Sequence, residues 1–342
     1  MGEVEQRKAD HLRISLEQDV RFPCLSTGLE RYRFVHRALP DLNLIDVELS
    51  TLLLGKPLQL PLLISSMTGG TPASQGINRH LAQAAQARSV AIGLGSLRAA
   101  LESPDLASTF QVRDLAPDIL LLANLGAVQL NYGFTIDHCR RAVEMVAADA
   151  LFLHLNPLQE ALQTEGNTNW SGLLPKIEAV CRALEVPVVI KEVGWGLCEE
   201  MARQLAGAGV AALDVAGAGG TSWSEVERHR QINGPRRRLA AAFRDWGIPT
   251  ADALAAARRG APHLPLIGSG GVRSGIDVAK VLALGATAAG IATPFLRAAA
   301  LSAEAVVELI DHIAAELRVA MFCTGASRVS HLREPGRLVK TD

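Results

Sequence analysis

From about residue 60 onward, short apolar runs alternate with alanine-rich segments whose apolar residues recur at helical spacing. Short apolar runs are typical of strands buried on both faces, and the longer segments between them are typical of crossover helices. We place eight strands, at 61–66, 89–93, 119–123, 150–154, 186–191, 211–215, 264–268 and 286–291. This regular alternation predicts an α/β fold, a (β/α)8 TIM barrel with a parallel sheet.

The intervening segments predict helices at 73–88, 135–147, 172–184, 196–208, 251–259, 275–284 and 302–321. The spacing is regular except for a long insertion, 217–248, after the sixth strand. The first sixty residues precede the repeats and carry polar clusters that are unusual for packing alone. We therefore divide the chain into an N-terminal extension, 1–60, and a single catalytic barrel domain, 61–342.

Residues 264–296 give the first indication of a ligand. The run Gly268-Ser269-Gly270-Gly271 lets backbone amides approach an anion at the start of the following helix. Barrels often hold a phosphate with the loops after strands 7 and 8, and this segment supplies both loops, followed by one long helix. The segment predicts a barrel that closes around a phosphorylated cofactor.

Polar residues gather after six consecutive predicted strands. Because the carboxyl ends of parallel strands meet at one rim of a barrel, we expect them to form one site. The segments are 66–70, 93–98, 124–126, 154–160, 191–194 and 217–222.

Lys191 ends the fifth predicted strand. A lysine at a barrel mouth can form a Schiff base, bind phosphate or neutralise the reduced ring of a flavin. The glycine- and threonine-containing loops favour the flavin, because a flat ring needs close approach to the backbone. Asn124 and Ser96 would then bond to its polar edge, with Met67 and Thr68 near its reactive side.

His154, Asn156, Gln159 and Glu160 follow the fourth strand within seven residues. Glu160 is too isolated from other carboxylates for a full protein metal cage. One carboxylate can hold Mg²⁺ when phosphates and water complete the shell. His154 is a candidate base, diphosphate ligand or simple rim histidine.

Arg7, Lys8 and His11 form a cationic group in which Arg7 and His11 share a helical face. With Arg98 they could clamp a diphosphate. The polar segment 163–170 is a candidate lid or a solvated turn.

Composition narrows the class of protein. The net charge of −1 indicates neither a nucleic-acid nor an acidic-membrane binder. Five scattered cysteines predict reduced core thiols, and the charged N-terminus lacks the apolar region of a signal peptide. We therefore expect a soluble cytoplasmic protein.

Together these motifs resemble the type 2 isopentenyl-diphosphate isomerase family, which depends on FMN, over nearly the whole chain. The H-L-N-P-L-Q-E run at 154–160 and the R-K-x-x-H at 7–11 are more specific than the glycine turns, which many flavin barrels share. Further matching segments are 65–70, 95–98, 124–126, 166–167, 191–194, 214–217, 220–221, 246–247 and 268–273.

The resemblance implies a 1,3-allylic proton shift that interconverts isopentenyl and dimethylallyl diphosphate in isoprene biosynthesis. It also implies reduced FMN with N5 as principal acid–base, Mg²⁺, NAD(P)H as reductant and a homo-oligomer, a tetramer or octamer. Carried over by motif position, the catalytic residues would be His154 and Gln159, and the metal ligand Glu160. Substrate would be bound by Arg7, Lys8, His11, Ser96, Leu97, Arg98, His154, Asn156 and Gln159. FMN would be bound by Met67, Thr68, Gly69, Ser96, Asn124, Lys191, Thr221, Gly271, Val272, Arg273, Ala292 and Thr293.

Three alternatives stay open at this point. A 2-hydroxy acid oxidase looks to need a late histidine in a His-Gly-Gly-Arg style context, which His263, His312 and His331 lack. An inosine-monophosphate dehydrogenase needs a cysteine in the loop after strand 6, and residues 217–223 contain none. A non-catalytic flavin or phosphate sensor would bind the cofactor without allylic exchange.

Overall fold

Eight parallel strands close into a barrel in the computed structural model, which describes residues 3–231 and 233–341. Each strand pairs with the next along the chain, and the last pairs with the first through Ala289–Leu62 and Ile291–Ile64. The predicted TIM barrel is confirmed, and every strand overlaps its predicted range. The strands are β1 Leu62–Ile64, β2 Ala91–Gly93, β3 Leu121–Gly126, β4 Ala150–Leu155, β5 Val188–Glu192, β6 Ala212–Asp214, β7 Leu266–Ser269 and β8 Ala288–Ile291.

The division of the chain at residue 60 stays a prediction, and positions 1–2, 232 and 342 of the two predicted regions lie outside the described residues. The helices surround the barrel, and all seven predicted helices are present. They are α1 Glu3–Glu17, α2 Pro72–Arg88, α3 Arg98–Glu102, α4 Ile136–Met145, α5 Pro157–Leu162, α6 Leu173–Ala183, α7 Glu199–Gly207, α8 Trp223–Arg230, α9 Pro235–Ala242, α10 Thr250–Gly260, α11 Gly275–Ala283, α12 Thr293–Ala299 and α13 Ala303–Cys323.

The long insertion predicted at 217–248 contains two helices, α8 and α9. One expectation about the connections is corrected. Two helices rather than one follow β8, because the short α12 precedes α13. Seven residues give too little periodicity to recognise α12 from sequence.

The side chains of the barrel strands alternate between two apolar environments. Leu62 and Ile64 point outward to the helices, and Leu63 between them points into the barrel. The same alternation places Phe152 and Val189 inside. Because successive strand residues face opposite sides, each strand contributes every second residue to the interior.

A hairpin of the N-terminal extension closes the amino-terminal end of the barrel. Strands Thr51–Leu53 and Lys56–Leu58 pair antiparallel. Leu53 and Leu58 are buried and belong to the same apolar cluster as the barrel interior. The extension therefore supplies part of the barrel core.

Two other parts of the extension pack on the barrel. Strand Tyr32–Phe34 pairs antiparallel with Leu338–Lys340 near the C-terminus. Helix α1 lies on α8, where Ile14, Val20 and Val226 form a small buried cluster. Both contacts join segments that are far apart in sequence.

The cysteines are only partly core residues, which corrects the prediction. All five are free thiols; Cys139 is buried, but Cys24 and Cys198 are exposed. Across residues 3–231 and 233–341, every helix is too short or too polar to traverse a lipid bilayer.

The hairpin gives a stability test with a matched control. We expect Leu53→Ala to lower the free energy of unfolding by about 2–5 kcal/mol, because it leaves a cavity in the barrel core. Leu52, one residue away, is 62% exposed, and Leu52→Ala should change stability by no more than about 0.5 kcal/mol. Urea denaturation of both variants measures this; similar losses would contradict the hairpin's role as a core element.

Candidate active site

Above the apolar interior, the next inward-facing residues toward the carboxyl ends of the strands are polar. Asn124, His154, Lys191, Asp214 and Ser269 each lie two positions beyond an interior apolar residue of the same strand. The alternation of side chains therefore places them in one layer at the floor of the barrel mouth.

This layer opens into a cavity with about 1780 Å³ of space, part of it continuous with solvent. The loops after the strands and one face of α1 form its walls. Of the predicted site residues, the cavity is lined by Arg7, Lys8, His11, Met67, Thr68, Gly69, Ser96, Arg98, Asn124, His154, Asn156, Gln159, Glu160, Lys191, Thr221, Gly271, Val272, Arg273, Ala292 and Thr293.

Leu97 is the predicted residue that does not line the cavity. Its side chain is fully buried in the main core, and its backbone N–H donates to the Asn124 carbonyl over 2.8 Å. The cavity is also lined by residues that sequence reasoning did not assign, including Leu12, Gln129 and Trp223. Trp223 directly follows the glycine-containing loop after β6, and this position could have identified it from the sequence as a residue of the cavity wall.

The cations of α1 lie over the cavity of their own chain. The Lys8 ammonium donates to the Ser96 carbonyl over 2.9 Å and lies 5.0 Å from the centre of the Phe110 ring. Burial, followed by repulsion from Arg7, lowers the pKa of Lys8 to about 7. Arg98 donates to the Asn167 side chain over 3.1 Å. These groups form a desolvated cationic pocket suited to a polyanion.

An alternating chain of charges attaches α1 to α8 and to the 163–170 segment. His11 Nε2 lies 2.8 Å from one carboxylate oxygen of Glu227. The other oxygen of Glu227 accepts from Arg230 over 2.8 Å. Arg230 donates over 2.9 Å to Glu165, which lies 3.9 Å from Arg7. The candidate lid segment is thus tied to both helices.

His154 is held as a neutral ring with a defined tautomer. Asn124 donates its amide to the Leu94 carbonyl over 3.1 Å, so its oxygen faces His154 Nδ1 at 2.9 Å. His154 Nδ1 must therefore carry the hydrogen, which leaves Nε2 as an acceptor. Burial, with repulsion from Lys191 and Lys8, lowers the pKa of His154 to about 3.

Glu160 is buried, and both of its oxygens are already held in place. One oxygen accepts from Asn156 over 3.0 Å and the other from the Asn167 N–H over 2.5 Å. Asn156 donates to Gln159 as well, over 3.0 Å. Among the described residues there is no group of three or more His, Cys, Asp or Glu placed to hold a metal ion. A cation at Glu160 would need ligands from outside the chain.

Glycines allow the loops after β1, β2, β6 and β7 to approach one another closely. A Cβ on Gly220 would lie 2.5 Å from the Gly271 nitrogen, and one on Gly95 would lie 2.3 Å from the Thr68 oxygen. Gly271 also has a φ of +72°. Larger residues here would push the loops apart.

The predicted anion site at the glycine run before α11 stays a prediction, and Ser269, Gly270 and Gly271 of that run line the cavity. Helix α11 itself begins at Gly275, and the carboxylate of Asp277 already accepts from the N–H groups of Arg273 and Ser274, at 3.1 and 3.2 Å. The backbone left for a ligand is therefore that of the loops at 270–272 and 292–293, which line the cavity.

Comparison with known proteins agrees with this geometry. A family model described as FMN-dependent dehydrogenase matches residues 138–338, more than half of the chain. Among solved structures, flavocytochrome b2 with pyruvate bound has a TM-score of 0.71 at 19% identity, covering 96% of this chain and 82% of that one. Mandelate oxidase has a TM-score of 0.67 at 21% identity, covering 98% and 96%. These likenesses show a fold shared with flavin-dependent barrels.

Relatives at more than 50% identity are named isopentenyl-diphosphate delta-isomerase. The relative from Nostoc sp. is 52% identical over 337 residues, covering 98% of this chain and 96% of its own. Those from Synechococcus sp. and Cronobacter sakazakii are 56% and 54% identical, covering 98% and 97% of this chain and 96% of their own.

The fold and the family model thus define an FMN-dependent barrel protein. Within that class, the chain belongs to the isopentenyl-diphosphate delta-isomerase family. The resemblance identified from the motifs is confirmed.

The lowered pKa of His154 predicts a pH effect on stability. A histidine that stays neutral when folded but binds a proton when unfolded favours unfolding as pH falls below about 6.5, down to its folded pKa of about 3. In the flavin-free protein, His154→Gln should remove on the order of 1 kcal/mol of the stability loss between pH 6.5 and 5. The exposed residue His263 provides the control, and His263→Gln should keep the wild-type slope. Urea titrations at both pH values test this; equal slopes for wild type and His154→Gln would refute it.

Proposed function

We propose that this protein interconverts isopentenyl diphosphate and dimethylallyl diphosphate by a 1,3-allylic proton shift, as a step of isoprenoid biosynthesis. The observation that carries the proposal is a single cavity that joins the α1 cations to the flavin-type polar floor. Arg7, Lys8 and Arg98 lie at one side, and Asn124 and Lys191 lie at the floor. The relatives that carry this activity in their names match over nearly the whole chain.

The residues present fit a bound FMN. Ser65 and Ser66 are among the residues that line the cavity. Their hydroxyls are buried and have no hydrogen-bond partner among the described residues. A ligand with donors and acceptors would satisfy them. The close glycine loops leave room for a flat ring, and the backbone at 270–272 and 292–293, with Arg273, would hold its phosphate. The remaining contacts would come from Met67, Thr68, Gly69, Ser96, Asn124, Lys191 and Thr221.

When bound, reduced FMN would supply electron density and an exchangeable proton at N5. The chain's own part is to orient the diphosphate, keep water away from the reacting carbons and present groups of fixed protonation. Arg7, Lys8 and Arg98 would bind the diphosphate, with His11, Ser96 and Asn156 completing the substrate site. Leu12 and Trp223 line the same cavity and would cover the apolar tail.

His154 and Gln159 are the proposed catalytic side chains. The neutral His154 presents Nε2 as an acceptor, so it adds no positive charge beside a cationic transition state. Gln159 is 8% exposed and bonded to Asn156, which fixes its amide in the cavity wall. Neither group needs to change its charge during turnover.

Glu160 would bind Mg²⁺ together with the substrate diphosphate. One ordered carboxylate with phosphate and water oxygens is a usual magnesium shell. The two hydrogen bonds that hold the Glu160 oxygens leave a lone pair on each for the ion. NAD(P)H as reductant, a cytoplasmic location and a homo-oligomer, a tetramer or octamer, complete the proposal.

The alternatives find less support in the cavity. Within the described chain, the histidines that line it are His11 and His154, and none of the late histidines does. The described part of the cavity wall also contains no cysteine. A 2-hydroxy acid oxidase would therefore lack its late histidine base here, and an inosine-monophosphate dehydrogenase would lack its cysteine nucleophile.

Direct assay tests the activity. Purified protein with FMN, Mg²⁺ and NADPH should bleach its flavin absorbance anaerobically and then incorporate deuterium from D₂O into isopentenyl diphosphate, producing the dimethylallyl isomer. Omitting the reductant provides the control and should abolish turnover. If the bound flavin is reduced but no deuterium enters the substrate, the protein is a flavin sensor instead and the proposed activity is refuted.

The metal role predicts a separable defect. Glu160→Gln should lower the rate at limiting Mg²⁺ by about tenfold or more, because the variant loses the charged ligand, while FMN absorbance stays unchanged. Glu200 is exposed and outside the cavity wall, so Glu200→Gln serves as the control with a wild-type Mg²⁺ titration. An unaltered Mg²⁺ titration for Glu160→Gln would reject the assignment.

A further inference from the structure

The buried carboxylate of Asp214, at the floor of the cavity, has no part in the proposed reaction as described above. Asp214 is the last residue of β6 and is completely buried. Its register partner on β5 is Lys191, whose own register partner on β4 is His154. Because all three face inward, the barrel floor carries a neutral ring, a cation and an acid side by side.

The two oxygens of Asp214 have different surroundings. Oδ1 accepts from the Ser269 hydroxyl over 2.5 Å. Oδ2 has no hydrogen-bond partner among the described residues and lies 3.8 Å from the Lys191 ammonium. The ammonium itself donates to the Glu192 carbonyl over 2.8 Å. The buried acid therefore faces the lysine as an ion partner without being tied to it by a hydrogen bond.

Burial of an unpaired charge is costly, so Asp214 and Lys191 depend on each other. The carboxylate lies beside the lysine in the floor, whereas the ligand would lie above both. Lys191 lines the cavity, but Asp214 is not among the lining residues. A charge in this position acts on a ligand without touching it, through its own field and through the placement of the lysine.

We propose that Asp214 is a positioning residue that fixes the Lys191 ammonium beneath the flavin ring and offsets part of its charge. The inference rests on the proposed placement of FMN over Lys191. With its counterion in place, the lysine stabilises the negative charge of the reduced ring less than an unpaired ammonium would. Asp214 thereby sets how strongly the protein favours reduced over oxidised flavin.

The test is the midpoint potential of bound FMN in Asp214→Asn, a variant of nearly the same shape without the charge. We expect a shift to more positive potential, equivalent to about a tenfold gain in the preference for reduced over oxidised FMN. Asp214→Glu should stay near the wild-type potential because it keeps the charge. No shift, or a shift to more negative potential, would overturn the proposal.

A double-mutant cycle with Lys191→Met separates the ion pair from a structural effect. In the Lys191→Met background, Asp214→Asn should change the potential little, because without the lysine the buried Asp214 carboxyl is protonated and has no charge to remove. An equal shift in both backgrounds would show that Asp214 acts independently of the lysine and would overturn the proposal.

Two measurements keep the test decisive. If Asp214→Asn does not fold, Ser269→Ala replaces it, because loss of the donated hydrogen bond weakens the ionised carboxylate and predicts a smaller positive shift. An unchanged potential in Ser269→Ala would then count against the inference. FMN titration of the wild type distinguishes the two proposals: failure to bind FMN would refute the proposed function, whereas bound FMN with an unchanged Asp214→Asn potential would refute only the present inference.

Discussion

Closure of an eight-stranded parallel sheet is the constraint on which the rest of this molecule depends. It allows only alternate residues of each strand to face inward, and it brings all eight carboxyl ends to one rim. The lower inward layer is apolar, and the upper layer holds Asn124, His154, Lys191, Asp214 and Ser269. The stable core and the reactive floor are thus successive layers of one packing pattern.

Much of this could be predicted from sequence because it follows from short-range patterns. Apolar runs at regular spacing gave the strands, and the polar residues directly after them gave most of the cavity wall. What could not be predicted depends on packing between distant segments. Helix α12 is too short to leave a periodic signal, and the buried position of Leu97 follows from how α3 packs against the core. The carboxylate of Asp277 accepts from the amides of Arg273 and Ser274, just after the glycine run, through a contact that the apolar pattern does not show.

The same dependence on distant segments explains why the sequence alone does not identify Asp214 as a residue of the cavity floor. Asp214 falls within the predicted strand 211–215 and the matching segment 214–217, but the sequence does not show which charge it faces. Its pKa is raised because it is buried, while Lys191 and Ser269 counter that effect. Its importance becomes visible only when the register of β5 and β6 brings it beside the lysine.

The charged contacts of α1 add a further connection between the N-terminal extension and the barrel. Glu227, Arg230, Glu165 and Arg7 alternate in sign, so each group lies beside an opposite charge. An anionic ligand that binds Arg7 would enter this alternation as another member. With the proposed role of Arg7 in binding the diphosphate, substrate affinity and the packing of α1 would be energetically linked.

The ribbon between Tyr32–Phe34 and Leu338–Lys340 has a consequence for how the protein is made. A ribosome releases the first of these strands some three hundred residues before its partner exists. Throughout elongation, the early strand has an open hydrogen-bonding edge, and the barrel is completed only after β8 emerges. The pairing of these two strands can therefore form only after every strand of the barrel has been synthesised.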